Sequence, residues 1–155
     1  MSHQQWNIST SLQGYQKIKL YGAEIILTYL RRGVFLIWEK LTISENFTMA
    51  MSEYAWTSFN DNAKIFKCAP QGKVNEKRFH PTQKPVELYA WIFKHYAKPC
   101  DKILDTHLGS GSSRIAAYDA GFEFVGFEID KTYFDLQEER FEKHTAKMNL
   151  FVNEQ

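Results

Sequence analysis

Apolar and polar positions follow two rhythms along this chain. In residues 33–40, GVFLIWEK, the side chains of Val34, Leu36 and Trp38 recur at every second position, which predicts a strand with one buried face. After Pro85 the spacing changes: Val86, Tyr89, Ile92, Phe93 and Tyr96 recur at helical intervals and predict a helix packed on a sheet. Ile103 and Leu104 read as a buried strand, SRIAAYDA as a helix capped by Ser112 and stopped by Gly121, and Phe124, Val125 and Phe127 as the next strand. Elsewhere KIKLYGAEIILTYL suggests a short strand running into a helix, KIFKCA a strand, and YFDLQEERFEKHTAKM an amphipathic terminal helix, while EYAWTSF stays open between helix and loop. Strands alternating with helices predict an α/β domain with a mostly parallel sheet, whose ligands sit at the carboxyl ends of the strands.

Residues 103–130 carry the chemistry most densely. Gly109 and Gly111 let the backbone turn where a side chain would collide, and Glu128 follows Gly109 by nineteen residues, where a strand-end carboxylate meets the two hydroxyls of a ribose. The third glycine of a dinucleotide site is replaced by Arg114, and Asp105, just ahead of the turn, would repel a pyrophosphate and attract an ammonium group. A ligand with an amino group, a sulfonium and a ribose but no phosphate suits these residues better than NAD does; S-adenosylmethionine is such a ligand. The same residues also suit an ordinary βαβ turn in which Asp105 and Glu128 are solvated strand ends.

Upstream, the segment HPTQKP leads into the first strongly patterned helix. Pro81 and Pro85 restrict their own φ and disfavour helix at the preceding residue, so the polar side chains between them lie in a stiff extended segment, with Pro85 expected as the first helical residue. Lys84 or Thr82 there could hold a carboxylate, which the methionine moiety has.

With these motifs in view, the sequence resembles the amino-group DNA methyltransferases that modify adenine N6 or cytosine N4, in their permuted β-type order. HPTQKP is similar to their motif X, DTHLGSG to their motif I and FEID to their motif II; motif X directly before motif I is itself the mark of the permutation. The resemblance runs, more weakly, from Lys17 to Phe141, and positions before Gly14 match nothing recognisable. It implies a Rossmann-like S-adenosylmethionine-dependent methyltransferase fold in a single domain over 1–155. That domain divides into an unmatched leader (1–16), a sheet and loop segment (17–80) and a cofactor-binding half (81–147). It also implies roles: Asp105 at the methionine end, Gly109 and Gly111 beneath the cofactor, Ser112 and Ser113 as the hydroxyl pair after the glycines, Glu128 on the ribose, and His80, Thr82 and Lys84 at the methionine carboxylate. His107 stands where relatives often carry phenylalanine and is counted with the cofactor site; no second histidine is near in sequence to make it a metal ligand. Asp130 reads as a helix cap before KTYFDLQ.

Members of that family carry a catalytic Asp-Pro-Pro-Tyr, or a variant of it, which holds the target amine and stacks on the flipped base. None of the four prolines, Pro70, Pro81, Pro85 and Pro99, is followed by another proline. In the permuted order the motif belongs ahead of Lys17, so the expectation is a sheet with its central strand missing or substituted, no catalytic residue in this chain, and inactivity alone. Residues 6–12, WNISTSL, alternate in a β-prone pattern and are expected, with a strand from a second copy as the alternative, to cover that slot; a flexible leader suits them equally.

Composition sets outer bounds on this picture. Hydrophobic residues at 44% and aromatics at 15% exclude a disordered chain. The net charge of +1 is no nucleic-acid signature, yet between Lys64 and Lys84 cations heavily outnumber the single acid Glu76, and Lys67, Lys73, Lys77 and Arg78 are candidate DNA contacts. A solvated loop is the plainer account of that run. Cys68 and Cys100 have no pairing or metal spacing, and Pro99-Cys100 precedes the cofactor motif in the turn KPCDK, the wrong order for a cytosine-C5 nucleophile. No membrane span or secretion signal is legible, which suggests the cytoplasm. Two functions stay open: a site-specific DNA methyltransferase of a restriction-modification kind, active only when completed by a second polypeptide, or a noncatalytic cofactor- or DNA-binding remnant. A nucleotide-dependent oxidoreductase is disfavoured by Arg114 and HPTQKP.

Overall fold

The computed structural model describes residues 15–16, 33–72 and 78–152. Its elements are, in chain order, β1 (Tyr15–Gln16), β2 (Val34–Glu39), β3 (Ser52–Thr57), β4 (Lys64–Lys67), α1 (Val86–Tyr96), β5 (Lys102–Asp105), α2 (Ser112–Asp119), β6 (Glu123–Gly126) and α3 (Lys131–Val152). They form two three-stranded sheets, ordered β1-β5-β6 and β3-β2-β4. Among the described residues, three of the four strand pairings are parallel, and only β2 with β3 is antiparallel. The β5-α2-β6 unit is a helical crossover of the kind that parallel neighbours require.

One core joins the two sheets. Leu36 and Trp38 of β2, Leu88, Ile92 and Phe93 of α1, Ile103 of β5, and Ala116 and Ala117 of α2 form a single buried cluster. The two alanines give α2 a narrow face on which α1 can lie closely. The predicted helix face of α1 is the observed one, although Val86, Tyr89 and Tyr96 border the core while Leu88 joins its centre. The segment EYAWTSF resolves as strand β3: Glu53, Ala55 and Thr57 share one face and Tyr54 the other, with Leu36 opposite Ala55 and Trp38 opposite Glu53.

The slot beside β5, expected to be covered by residues 6–12 or a strand from a second copy, carries chain. Tyr15 and Gln16 pair in parallel with Lys102 and Ile103. Residues 6–12, expected in that slot, and most of KIKLYGAEIILTYL lie outside the described residues.

Two helix starts differ from expectation. Pro85 is the cap residue, with ψ 145°, and not the first residue of α1; its carbonyl accepts the first bond, from the Leu88 N–H at 3.2 Å. At α2 the cap is Gly111, with φ 73°, and Ser112 is already helical. A side chain at Gly111 would be strained by that φ, and its Cβ would stand 3.0 Å from Gln137 Oε1. Gly111→Ala is expected to destabilise the fold by about 1–2 kcal/mol from the left-handed backbone alone. A melting temperature unchanged from the parent would show that the loop relaxes without strain.

Candidate functional site

The glycine turn between β5 and α2 is held from both sides by carboxylates. Asp105, the last residue of β5, accepts the His107 N–H at 2.9 Å on Oδ1 and the Ser113 hydroxyl at 2.5 Å on Oδ2. Glu128, two residues beyond β6, accepts the Gly109 N–H at 2.8 Å on Oε2 and the Asp130 N–H at 3.0 Å on Oε1. The Phe127 N–H to Asp105 carbonyl bond and the Leu108 N–H to Phe127 carbonyl bond, both 2.9 Å, carry the β5-β6 pairing past the strand ends and place the two acids side by side. Burial pushes the Glu128 carboxyl up, but the N–H groups of Asp130, Gly109 and Ile129, with the His80 charge, outweigh it and hold the group below its ordinary 4.5.

The HPTQKP segment closes over this turn. A Cβ on Gly109 would come within 3.2 Å of the His80 ring, so glycine is required there both by its φ of 55° and by the close histidine. The far side of His80 meets the Tyr133 ring, centroids 4.4 Å apart, and its Nδ1 lies 3.2 Å from the Thr82 hydroxyl. Ser112 donates its hydroxyl to the Lys84 carbonyl at 2.7 Å, tying α2 to the residue before Pro85.

The Lys84 ammonium, expected at the methionine carboxylate, takes another partner. It lies 3.0 Å from Glu53 Oε2, while the buried Lys40 ammonium lies 2.7 Å from Glu53 Oε1. Burial raises the Glu53 carboxyl, and the two lysines together bring it below the usual carboxylate range. Glu53 of β3 carries no local signal as a site residue, because its partners are distant in sequence. A cavity of about 130 Å³ borders this pair, walled by Leu36, Trp38, Tyr54, Leu88 and Trp91, and neither Asp105 nor Glu128 lines it.

Three residues of α3 support the turn, and none of them is among the sequence candidates. Arg140 donates to the Ser110 carbonyl at 2.8 Å and to the Ser112 hydroxyl at 2.9 Å; Gln137, 1% exposed, sits against Gly111; Tyr133 backs His80. Their spacing of four and three residues puts them on one helix face, a signal that the sequence does contain. Arg114 also turns toward α3, 2.5 Å from Glu138 and 3.9 Å over the Phe141 ring. Asp130 caps α3 as expected, accepting the Thr132 N–H at 2.8 Å.

Of the candidate DNA contacts, Lys67 pairs with Glu39 at 2.9 Å, and Arg78 donates to the Gln83 carbonyl at 2.9 Å. Lys73 and Lys77 lie outside the described residues. Cys100 is exposed in its loop. Among the described residues, no helix is long and apolar enough to cross a membrane, and no group of three potential metal ligands occurs.

This arrangement is the Rossmann-like α/β fold of S-adenosylmethionine-dependent methyltransferases. M1.HpyAVI, solved as its complex with SAM, superposes with a TM-score of 0.55 at 26% identity over 68% of this chain and 60% of that one. The cytosine-N4-specific PvuII DNA methyltransferase matches the fold with a TM-score of 0.56 at 16% identity, covering 77% of this chain and 56% of that one. In sequence, the type II methyltransferase M2.DpnII of Streptococcus pneumoniae is 38% identical over 63 residues, 41% of this chain and 24% of that protein. M.HinfI of Haemophilus influenzae is 34% identical over 64 residues, 41% of this chain and 18% of that protein. The chain therefore spans less than two thirds of each of these proteins. The N6_N4_Mtase family of DNA methylases matches residues 5–139, and the chain belongs to that family.

Proposed function

We propose that this chain carries the S-adenosylmethionine-binding part of a DNA methyltransferase acting on an exocyclic amine, adenine N6 or cytosine N4. The observation that carries the reading is the 2.8 Å bond from the Gly109 N–H to Glu128, which joins the glycine turn and the strand-end acid into one wall, with Asp105 and His80 beside it. Glu128 accepts the Gly109 N–H on one oxygen and the Asp130 N–H on the other, with the Ile129 N–H beside it, so of its roughly four acceptor sites one stays open for a ribose hydroxyl. Asp105 offers negative charge to an ammonium or sulfonium group. Arg114, held by Glu138 and Phe141, is turned away from the phosphates a dinucleotide would bring. The donor set therefore fits S-adenosylmethionine and fits NAD poorly.

When bound, S-adenosylmethionine supplies a methyl group on an electrophilic sulfur. Transfer to an amine needs nitrogen and carbon held in line at about 3 to 3.5 Å, a task of positioning more than of acid-base strength. The 155 residues contain no Pro-Pro-aromatic element for that task, so in this reading it is supplied from outside these residues. Glu128, Asp105 and the glycine turn hold and orient the cofactor; they do not by themselves align the target amine.

Calorimetry with S-adenosylmethionine and with NAD tests the cofactor, and labelled methyl transfer to DNA, with and without a polypeptide bearing Asp-Pro-Pro-Tyr, tests the activity. Binding of S-adenosylmethionine alone, and label in DNA only after complementation, is the expected pattern. Tight NAD binding would sink the cofactor assignment, and cofactor binding without transfer under any complementation would make this a noncatalytic remnant.

A further inference from the structure

A second cavity, of about 170 Å³, lies beyond the carboxyl ends of β2 and β4 and shares Glu53 with the first. Glu39 pairs with Lys67 at the ends of these parallel strands, and Lys40 follows directly, so the cavity opens where ligands of parallel sheets gather. The charged groups lining it are Lys40, Arg78 and Glu53, two cations against one carboxylate, with Thr82 beside them and Trp38 and Pro70 among its walls.

Each cation keeps hydrogen-bonding capacity beyond the bonds described. The Lys40 side chain is 5% exposed and gives one contact, 2.7 Å, to Glu53; an ammonium has three donors. The two backbone bonds of Arg78, to the Pro81 and Gln83 carbonyls, both leave from Nη2, so they use neither the Nη1 nor the Nε hydrogens. Glu53 meanwhile bridges Lys40 and Lys84 with one oxygen each, at 2.7 and 3.0 Å. A single oxyanion between two ammoniums is the arrangement that an incoming anion would reproduce.

The geometry points to this cavity as the seat of one phosphate of the DNA strand, held by Lys40 and Arg78, with Glu53 as the internal carboxylate that occupies the lysines until the strand arrives. The inference rests on the DNA methyltransferase reading and adds a phosphate contact to it. An extruded base fits less well, because the Lys40 ammonium lies 5.3 Å from the Trp38 ring centroid and covers the one aromatic face that lines the cavity. A carboxylate of the cofactor has the same chemistry as a phosphate, and the experiment separates the two.

The test is fluorescence anisotropy of a short labelled duplex against the full chain over a salt series, with S-adenosylmethionine calorimetry in parallel. Lys40→Met and Arg78→Gln are each expected to weaken duplex binding about tenfold at 0.1 M salt and to lower the logarithmic salt slope by about 0.9, the signature of one lost phosphate contact. The double variant is expected to lose no more slope than either single one, because both cations serve the same phosphate. Glu53→Gln, which removes the competing carboxylate, is expected to bind the duplex more tightly; a purely structural ion pair would give no gain. Arg78 is exposed, so its variant keeps the test informative even where Lys40→Met fails to fold. Unchanged duplex affinity in Arg78→Gln, or weaker binding in folded Glu53→Gln, overturns the proposal. So does a loss of S-adenosylmethionine affinity in Arg78→Gln with duplex binding intact, which would make the occupant the cofactor carboxylate. A parent chain that binds duplex but not S-adenosylmethionine would instead overturn the cofactor reading and leave this site standing.

Discussion

Glu128→Ala is expected to weaken S-adenosylmethionine binding by about 10- to 100-fold, because a ribose hydroxyl loses a bond to a charged acceptor worth roughly 1.5–3 kcal/mol. The same change strips the acceptor from the Gly109 N–H, so the turn loosens as well. Glu128→Gln separates the two effects in part: its amide oxygen can still receive Gly109 while the Asp130 N–H loses its acceptor, and the expected loss is about tenfold, with the melting temperature lowered less than in Glu128→Ala. The acid's pH behaviour follows from its direction of shift. A carboxyl held below its ordinary 4.5 in the folded state stabilises the turn above that value and loses the contribution as pH falls through the lower folded pKa. Cofactor affinity is therefore expected to be flat around neutrality and to drop only below about pH 4.5, where Glu128 protonates. Equal affinity in Glu128→Ala and the parent would place the ribose elsewhere.

Phe93→Ala is expected to remove about 3–5 kcal/mol of stability, a large share of the roughly 5–15 kcal/mol that a domain possesses. Phe93 is 3% exposed and packs edge-on against Phe122 at 5.9 Å, in the one cluster that binds both sheets to α1 and α2. The melting temperature should fall by roughly 10 °C, and cofactor binding should fail at the temperature at which the chain unfolds, not before it. A shift under about 2 °C would mean that the two sheets do not depend on this shared core.

How far the sequence reaches depends on the range of the forces involved. Val34–Glu39 is readable because Leu36 and Trp38 point into the core at period two. Ser52–Thr57 is not, because its inward positions are Glu53, Ala55 and Thr57, while Tyr54 faces solvent; the amphipathic pattern is inverted by an ion pair. The glycine turn, Asp105 and Glu128 are legible as a local motif, and the structure brings them together. The neighbours of Lys84 in HPTQKP point its side chain to the cofactor, whereas Glu53, thirty-one residues earlier, holds it in the structure. Ser112 looks like a helix cap from its position after the glycines, but a distant carbonyl, that of Lys84, takes its hydroxyl. Pairings of this kind follow from folding and leave no spacing rule behind.

The contacts of Tyr133, Gln137 and Arg140 with the turn have a consequence for the order in which the molecule matures. During synthesis the residues that set the turn emerge well before the helix that braces it, since the Arg140 bond to Ser110 spans thirty positions of chain. A nascent polypeptide released before that helix has appeared would present the glycines and both acids in sequence, yet without the brace that shapes them. On the proposed reading, the turn is thus expected to take its ligand-holding shape only once Arg140, the last of these three side chains, has left the ribosome.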